Sequence, residues 1–190
     1  MRNLELKVRC PDGALLGDIA QLAAAAGATP QGVLWQRDTY FHAPRGRLKL
    51  REERVEDASL NGVEGAQMAD SHAALIGYTR PNLARSRESV YLISPIAAPA
   101  TLVAALKATL GVRLVVEKRR TLYLLGATRI HLDRVVGLGA FVELETVLYE
   151  QVSADALSAE HHRIIQALGL DRLPVIAGSY SDLLEAGTAE

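Results

Sequence analysis

Strict alternation of polar and apolar residues recurs along most of this chain, and it limits the possible folds more than any other feature. In the run NLELKVR, residues 3–9, every second residue is apolar without a break. A period of two is typical of a β-strand that buries one face. The same pattern predicts eight strands, at about residues 2–10, 33–42, 47–54, 74–81, 87–94, 113–125, 128–135 and 140–148.

Helical segments interrupt the strands at three places. They lie at residues 14–26, 99–110 and 153–168, and the glycine, proline and serine residues at their ends are typical helix boundaries. The segment SYSDLLEAG predicts one more short helical turn, and DASLNGVEGAQMADSHA predicts a mobile loop. Eight strands with few helices favour an antiparallel barrel or sandwich of the α+β class, in one domain that covers residues 1–190.

Composition excludes several classes of protein. Hydrophobic residues make up 49% of the 190-residue chain, as in ordinary globular domains, and no apolar run approaches the ~18 residues of a membrane span. The N-terminal residues lack the apolar core of a signal peptide, so we expect a cytoplasmic protein. The net charge of −1 and the 5% aromatic content predict no nucleic-acid partner and no membrane partner. An anion site would have to come from local arrangement.

The polar positions of the predicted strands carry mainly arginine and lysine. On a single strand this pattern is typical of a solvated face with cross-strand ion pairs. Here most strands repeat it, and apolar helices are present to cover the opposite face, so the charged face is expected inside a barrel. Such an interior would repel itself unless a polyanion occupied it. The basic residues in question are Lys7, Arg9, Arg47, Lys49, Arg51, Arg80, Lys118, Arg120 and Arg129.

A smaller set of carboxylates shares the charged face. Glu143 and Glu145 lie two residues apart on a predicted strand, so both can point inward. Carboxylate oxygens of this kind suit Mg²⁺ or Mn²⁺, which complete their coordination with phosphate and water. The pair therefore predicts a divalent cation between the carboxylates and a bound anion.

Together these segments resemble the CYTH superfamily of triphosphate tunnel metalloenzymes, and most of all its class IV adenylate cyclase branch. The resemblance rests on NLELKVR, QRDTYFHAPRGRLKLRE, IGYTRP, VEKRR, TRIHLDRVVGLGAFVELE and SYSDLL, which extend from residue 3 to residue 184. It implies an eight-stranded antiparallel β-barrel whose tunnel binds a nucleoside or inorganic triphosphate with Mg²⁺ or Mn²⁺. It also implies a possible homodimer.

The resemblance assigns roles to individual residues. The family motif Glu-x-Glu-x-Lys falls on Asn3, Glu5 and Lys7, which implies that Glu5 and Lys7 are catalytic. Asn3 departs from the motif and leaves the number of metal ions open. The nine basic residues named above would bind the triphosphate. The implied metal ligands are Glu5, Asp133, Glu143 and Glu145.

Three functions remain open from the sequence. Cyclisation of ATP would release cAMP and pyrophosphate, whereas hydrolysis would cleave inorganic or thiamine triphosphate with water as the nucleophile. A polyphosphate-binding module without catalysis is the third, suggested by Asn3. Lys7 could act as the general base only if its neighbours lower its pKa.

Several other residues have two interpretations. Asp38 and Tyr40 could reach the tunnel from the second predicted strand, and Tyr180 with Asp182 could close one tunnel mouth or cap the last helix. His131 lies on the charged face, where contact with substrate or a structural hydrogen bond would fit. The pair 161–162, two histidines in the third predicted helix, is expected to be solvated.

Overall fold

Eight antiparallel strands close into a barrel in this computed structural model, which describes residues 2–57, 71–79, 85–149 and 152–187. The order around the barrel is β1-β5-β4-β3-β2-β6-β7-β8. The strands are β1 (Arg2–Cys10), β2 (Thr29–Phe41), β3 (Arg47–Asp57), β4 (Ser71–Thr79), β5 (Arg87–Pro95), β6 (Val112–Leu125), β7 (Thr128–Val135) and β8 (Gly139–Val147). The predicted fold class, an α+β protein built on an antiparallel barrel, is confirmed.

The second strand begins earlier than the alternation predicts. Its pairing with β6 shifts register between Pro30 and Gly32, and Gly32 has a φ of 125°, which favours glycine. The irregularity hides the first residues of β2 from a period-two pattern. Most of the predicted loop, residues 58–70, lies outside the described residues, and so does Arg80.

The helices lie where the sequence predicts them. They are α1 (Leu15–Ala25), α2 (Pro99–Leu110), α3 (Ala154–Ala167) and α4 (Tyr180–Gly187), with a short 3-10 turn at Leu170–Arg172. Within the described part of the chain, no helix has both the length and the apolar character needed to cross a bilayer.

The main hydrophobic core lies outside the barrel wall, between the strands and two helices. The even-numbered residues Leu6 and Val8 of β1 point outward and are almost fully buried. They pack with outward residues of β7 and β8 and with residues of α1 and α3: Leu16, Ile19, Ala23, Ile130, Leu132, Val142, Leu144, Ile164, Ile165 and Leu168. Since this side of the wall is apolar, the alternation turns the polar residues of the same strands inward.

One end of the barrel interior is itself apolar. Inward residues of four strands meet the first residue of α4 there, and the ring of Phe141 lies edge-on to that of Tyr180 with centroids 5.0 Å apart. The cluster comprises Tyr40, Val116, Val135, Phe141 and Tyr180. Helix α4 thus inserts an aromatic side chain into the barrel, and this fills one end.

His161 contradicts the expectation of a solvated histidine pair. It is fully buried, its Nδ1 lies 2.8 Å from the hydroxyl of Thr146, and its Nε2 lies 3.1 Å from the hydroxyl of Ser86. The face of α3 that carries Ile164 and Ile165 packs on the barrel, and His161 shares that face. Burial lowers the pKa of His161 to about 4, so the ring is neutral near pH 7. His162 is exposed, as expected.

Candidate functional site

A cavity of about 140 Å³, partly open to solvent, lies inside the barrel. Six basic side chains among the described residues line it, against four carboxylates. The basic residues are Lys7, Lys49, Arg51, Lys118, Arg120 and Arg129, and the carboxylates are Glu5, Asp38, Glu143 and Glu145. The excess of positive charge makes the cavity suited to an anion.

Pairing of the first and last strands brings the two acidic motifs together. In the antiparallel register of β1 and β8, Glu5 lies opposite Glu145 and Lys7 lies opposite Glu143. The Nζ of Lys7 is 3.3 Å from Glu143, and 4.0 Å from the ring centre of Tyr180. The sequence-predicted residues Glu5, Lys7, Glu143 and Glu145 therefore form one wall of the cavity.

Asp38 gathers three of the basic side chains on another wall. Its carboxylate accepts hydrogen bonds from Arg51 at 2.7 and 2.8 Å, from Lys49 at 2.8 Å and from Lys118 at 3.3 Å. Burial alone would raise the pKa of Asp38, but the three cations hold it well below its usual range. Asp38 is thus ionised and fixes cations from β3 and β6 toward a common centre.

The two lysines that contact Asp38 carry less than a full charge near neutral pH. Burial, together with the nearby guanidinium of Arg51, lowers the pKa of Lys49 to about 7 and that of Lys118 to about 8. A negative ligand in the cavity would restore their protonated forms. Lys49 can therefore accept a proton near neutral pH.

Arg120 is held by a second group of buried acids. It donates two hydrogen bonds to Asp133, at 2.7 and 2.6 Å, and one to Glu143 at 3.0 Å. The hydroxyl of Tyr180 also donates to Asp133, at 2.7 Å. Asp133 is fully buried behind these partners and does not line the cavity. Asp133 is therefore placed to orient Arg120.

One cluster on β7 and β8 has the donor set of a metal site. Ligand atoms of His131, Glu143 and Glu145 all lie within 4.8 Å of one another. The Nδ1 of His131 is buried and has no hydrogen-bond partner among the described residues. Two carboxylates and an imidazole whose nitrogen needs a partner fit a divalent cation, and Glu5 lies beside them.

The remaining wall of the cavity is aromatic and apolar. Inward residues of β4 and β5 supply most of it: Ile76, Tyr78, Ser89, Tyr91 and Ile93. The hydroxyl of Tyr91 donates to the side-chain oxygen of Asn3 at 3.3 Å. This wall can contact an organic group attached to a bound anion.

Three of the predicted basic residues are not found among the cavity-lining side chains. Arg9 donates to the carbonyl of Leu138 at 2.8 Å, and its guanidinium lies 4.7 Å from the ring centre of Phe141. Arg47 pairs with Asp182 of α4 at 2.7 Å. Arg80 lies outside the described residues. The first two residues have the predicted inward parity but bind to protein groups near the ends of the barrel.

The sequence left two interpretations for Asp38, Tyr40 and Tyr180, and all three line the cavity. The cavity residues that sequence reasoning missed include those of β5. On β5 both parities mix polar and apolar residues, so Ser89, Tyr91 and Ile93 could not be distinguished as the inward set.

Comparison with known proteins identifies a family. The CYTH domain profile matches residues 1–180. No curated protein matches the sequence significantly.

Several solved structures share the fold. The PH1012 protein from Pyrococcus horikoshii OT3 superposes with a TM-score of 0.73 at 22% identity, over 95% of this chain and 98% of that one. A protein from Vibrio parahaemolyticus that is described as a candidate adenylate cyclase gives 0.60 at 15% identity, over 96% and 97%. The RNA triphosphatase domain of a trifunctional mimivirus mRNA capping enzyme gives 0.53 at 10% identity, over 88% and 89%. At these identities the similarity concerns the fold.

Proposed function

Since the chain belongs to the CYTH domain family, we propose that it is a divalent-metal-dependent enzyme that acts on a triphosphate bound inside the barrel. One observation carries the proposal: six basic side chains converge on a single cavity that only four carboxylates oppose. The pKa values of two of its lysines are lowered to about 7 and 8, which shows that positive charge in this cavity carries a cost. A polyanion of three phosphates would relieve that cost.

The basic residues of the cavity would bind and orient the phosphates. Arg51 and Arg129 can each form two parallel hydrogen bonds with phosphate oxygens. Arg120 already donates from Nε and Nη2 to carboxylates, so it can contact phosphate through Nη1. Lys7 and Lys118 act as point charges. The carboxylates that hold Arg51 and Arg120 fix the two guanidiniums before substrate arrives. Such preorganisation is the main way in which proteins accelerate phosphoryl transfer. Arg9, Arg47 and Arg80 stay predicted triphosphate ligands.

The divalent cation, Mg²⁺ or Mn²⁺, would be held by Glu5, Glu143 and Glu145. When bound, it would neutralise charge that develops on phosphate oxygens. Asp133, also predicted as a metal ligand, is proposed here to orient Arg120 instead. Lys7 remains the catalytic lysine that the sequence motif predicts.

Cyclisation of ATP is the reaction we propose first, which would place the chain in the class IV adenylate cyclase branch. In that reaction the 3′-hydroxyl attacks the α-phosphorus and pyrophosphate leaves. The aromatic wall formed by Tyr78 and Tyr91 favours a substrate with an organic group beside the phosphates. The similarity in fold to a candidate adenylate cyclase is consistent with this choice.

Hydrolysis of a triphosphate is the second candidate. It would use the same basic residues with water as nucleophile, and the similar fold of an RNA triphosphatase domain supports it. Binding without catalysis is the third, because Asn3 removes one negative charge from the motif.

A product assay separates the three. Purified protein is incubated with Mg²⁺ or Mn²⁺ and either ATP or tripolyphosphate, and cAMP, pyrophosphate and orthophosphate are separated. We expect cAMP and pyrophosphate from ATP. Orthophosphate from tripolyphosphate, without cAMP, would reject cyclisation in favour of hydrolysis, and tight binding without turnover would leave only the binding module.

Two arginines of the same strand provide a matched control. Arg51 lines the cavity, whereas Arg54 is exposed on the outer face, 4.5 Å from the ring of Trp35. We expect Arg51→Met to lower kcat/KM at least about 100-fold, in line with loss of a charged phosphate contact in the transition state. Arg54→Met should remain within about twofold, because surface changes away from a site have small effects. Equal losses in both variants would argue against a triphosphate in the barrel.

A further inference from the structure

His131 lies close to the two glutamates of β8, but its Nδ1 has no hydrogen-bond partner among the described residues. His131 lies directly opposite Glu143 in the β7–β8 register, and it is only 4% exposed. Its Nδ1 is 3.8 Å from Oε2 of Glu143 and 3.9 Å from Oε1 of Glu145. No described residue hydrogen-bonds to this nitrogen. A buried imidazole nitrogen that lies near two carboxylates but hydrogen-bonds to neither of them calls for a partner.

The two distances suit a shared ion better than a direct contact. Both exceed the ~3.2 Å limit of a good nitrogen-to-oxygen hydrogen bond. Both are shorter than about 4.2 Å, which is twice a typical ~2.1 Å metal–ligand bond. One ion can therefore reach the nitrogen and either oxygen at once, after small rotations of the glutamate side chains.

The other contacts of the glutamates leave room for such an ion. Oε1 of Glu143 faces Lys7 at 3.3 Å, and Oε2 of Glu145 faces Arg129 at 3.4 Å, so each carboxylate keeps its other oxygen on the side of His131. Arg120 also donates to Oε2 of Glu143, at 3.0 Å, but a carboxylate oxygen has two lone pairs.

We propose that His131 is a metal ligand together with Glu143 and Glu145, and that its nitrogen makes the site prefer a first-row transition ion such as Mn²⁺ over Mg²⁺. Mg²⁺ strongly favours oxygen ligands, whereas imidazole binds transition ions well. The catalytic role of the ion rests on the proposed function, because that role requires a bound triphosphate. The binding preference itself can be measured without substrate.

A structural role for His131 makes a different prediction. A protonated imidazole could act as an ion-pair partner of both glutamates, and it would then contribute to folding and bind no metal. Such a residue would leave no nitrogen signal on a bound ion, and its replacement would change Mn²⁺ and Mg²⁺ affinities in parallel.

Pulsed EPR of the Mn²⁺-loaded, substrate-free protein tests the ligand directly. We expect ¹⁴N modulation from a coordinated imidazole, replaced by the ¹⁵N pattern when only the histidines are labelled with ¹⁵N. The experiment uses the wild-type chain, so it does not depend on whether a variant folds. Absence of histidine nitrogen coupling would overturn the proposal.

Affinity ratios test the preference. Mn²⁺ binding is measured from the loss of the free-ion EPR signal, and Mg²⁺ binding from displacement of Mn²⁺. His131→Gln should lower the Mn²⁺ affinity at least about tenfold and the Mg²⁺ affinity less than about threefold. His131→Asp should shift the ratio toward Mg²⁺, and the exposed control His162→Gln should change neither. An unchanged ratio in His131→Gln would refute the proposal, and it would leave the product assay of the proposed function unaffected.

Discussion

Binding of a triphosphate should draw protons into the barrel. Lys49 and Lys118 have pKa values of about 7 and about 8, mainly because burial disfavours their charged forms and secondly because Arg51 lies beside them. Phosphate oxygens would add negative charge next to both amines and raise their pKa values toward the ordinary ~10.4. Protons must then be taken up from solution wherever the empty protein had released them.

The magnitude follows from the two pKa values. At pH 8 about a tenth of Lys49 and about half of Lys118 are protonated in the empty barrel, so full restoration takes up about 1.4 protons. At pH 6 both are almost fully protonated, and uptake falls to about 0.1 proton. By linkage, the intrinsic affinity for a fully ionised ligand should weaken about 20-fold between pH 6 and pH 8.

Calorimetric titration with ATP in EDTA measures the uptake without turnover. At pH 8 the terminal phosphate of ATP is already ionised, since the second pKa of such groups is about 6. The slope of the observed enthalpy against the ionisation enthalpy of the buffer gives the number of protons. Lys49→Met should reduce the uptake by about 0.9 proton, whereas Arg54→Met on the outer face should leave it unchanged. A binding enthalpy independent of buffer at pH 8 would refute the reasoning.

Three further predictions concern buried groups that support the site. Asp133→Asn should lower the free energy of unfolding by about 3 kcal/mol in urea titrations, because it removes one of the two buried carboxylates that pair with Arg120 and leaves only Glu143; a loss under about 1 kcal/mol would contradict this. Tyr180→Phe keeps the ring against Phe141 but removes the donor to Asp133, and we expect a loss of about 1–3 kcal/mol by the same method, so an unchanged unfolding midpoint would exclude the hydrogen bond. For His161, burial lowers the pKa from about 6.5 in the unfolded chain to about 4 in the fold, so its contribution to stability is present above pH 6.5 and is lost as the pH falls toward 4. Unfolding free energies should decrease by about 2 kcal/mol from pH 7 to pH 5 on this account, and a His161→Gln variant that keeps the whole decrease would assign it to other groups.

The alternation predicted the inward faces more reliably than it predicted what each inward residue contacts. Lys7, Lys118 and Glu143 line the cavity, as their strand parity indicates. Arg9 has the same parity as Lys7, yet it binds the carbonyl of Leu138, at the end that Phe141 and its neighbours fill. Parity specifies a face but carries no information about depth along the barrel axis.

The sequence pattern also could not predict which side chains of different strands contact each other. Asp38 could be placed on the inner face, but its three cationic partners come from β3 and β6, which lie on either side of β2 only after the barrel has closed. His131 likewise meets Glu143 through the β7–β8 register. A sequence-based interpretation left open whether His131 served substrate or structure, because it could not show that Nδ1 would lack a hydrogen bond.

The sequence by itself determined the strands, the helices, the charged character of the inner face and the family resemblance, because these depend on local periodicity and on residues at fixed spacing. Only the tertiary structure decided which acids pair with cations of the protein and which lysines have a lowered pKa. It also decided which ligand atoms lie close enough together to bind one metal ion. Those properties depend on burial and on distances between residues far apart in the chain. These properties arise only when the barrel has closed and its charged side chains lie inside it.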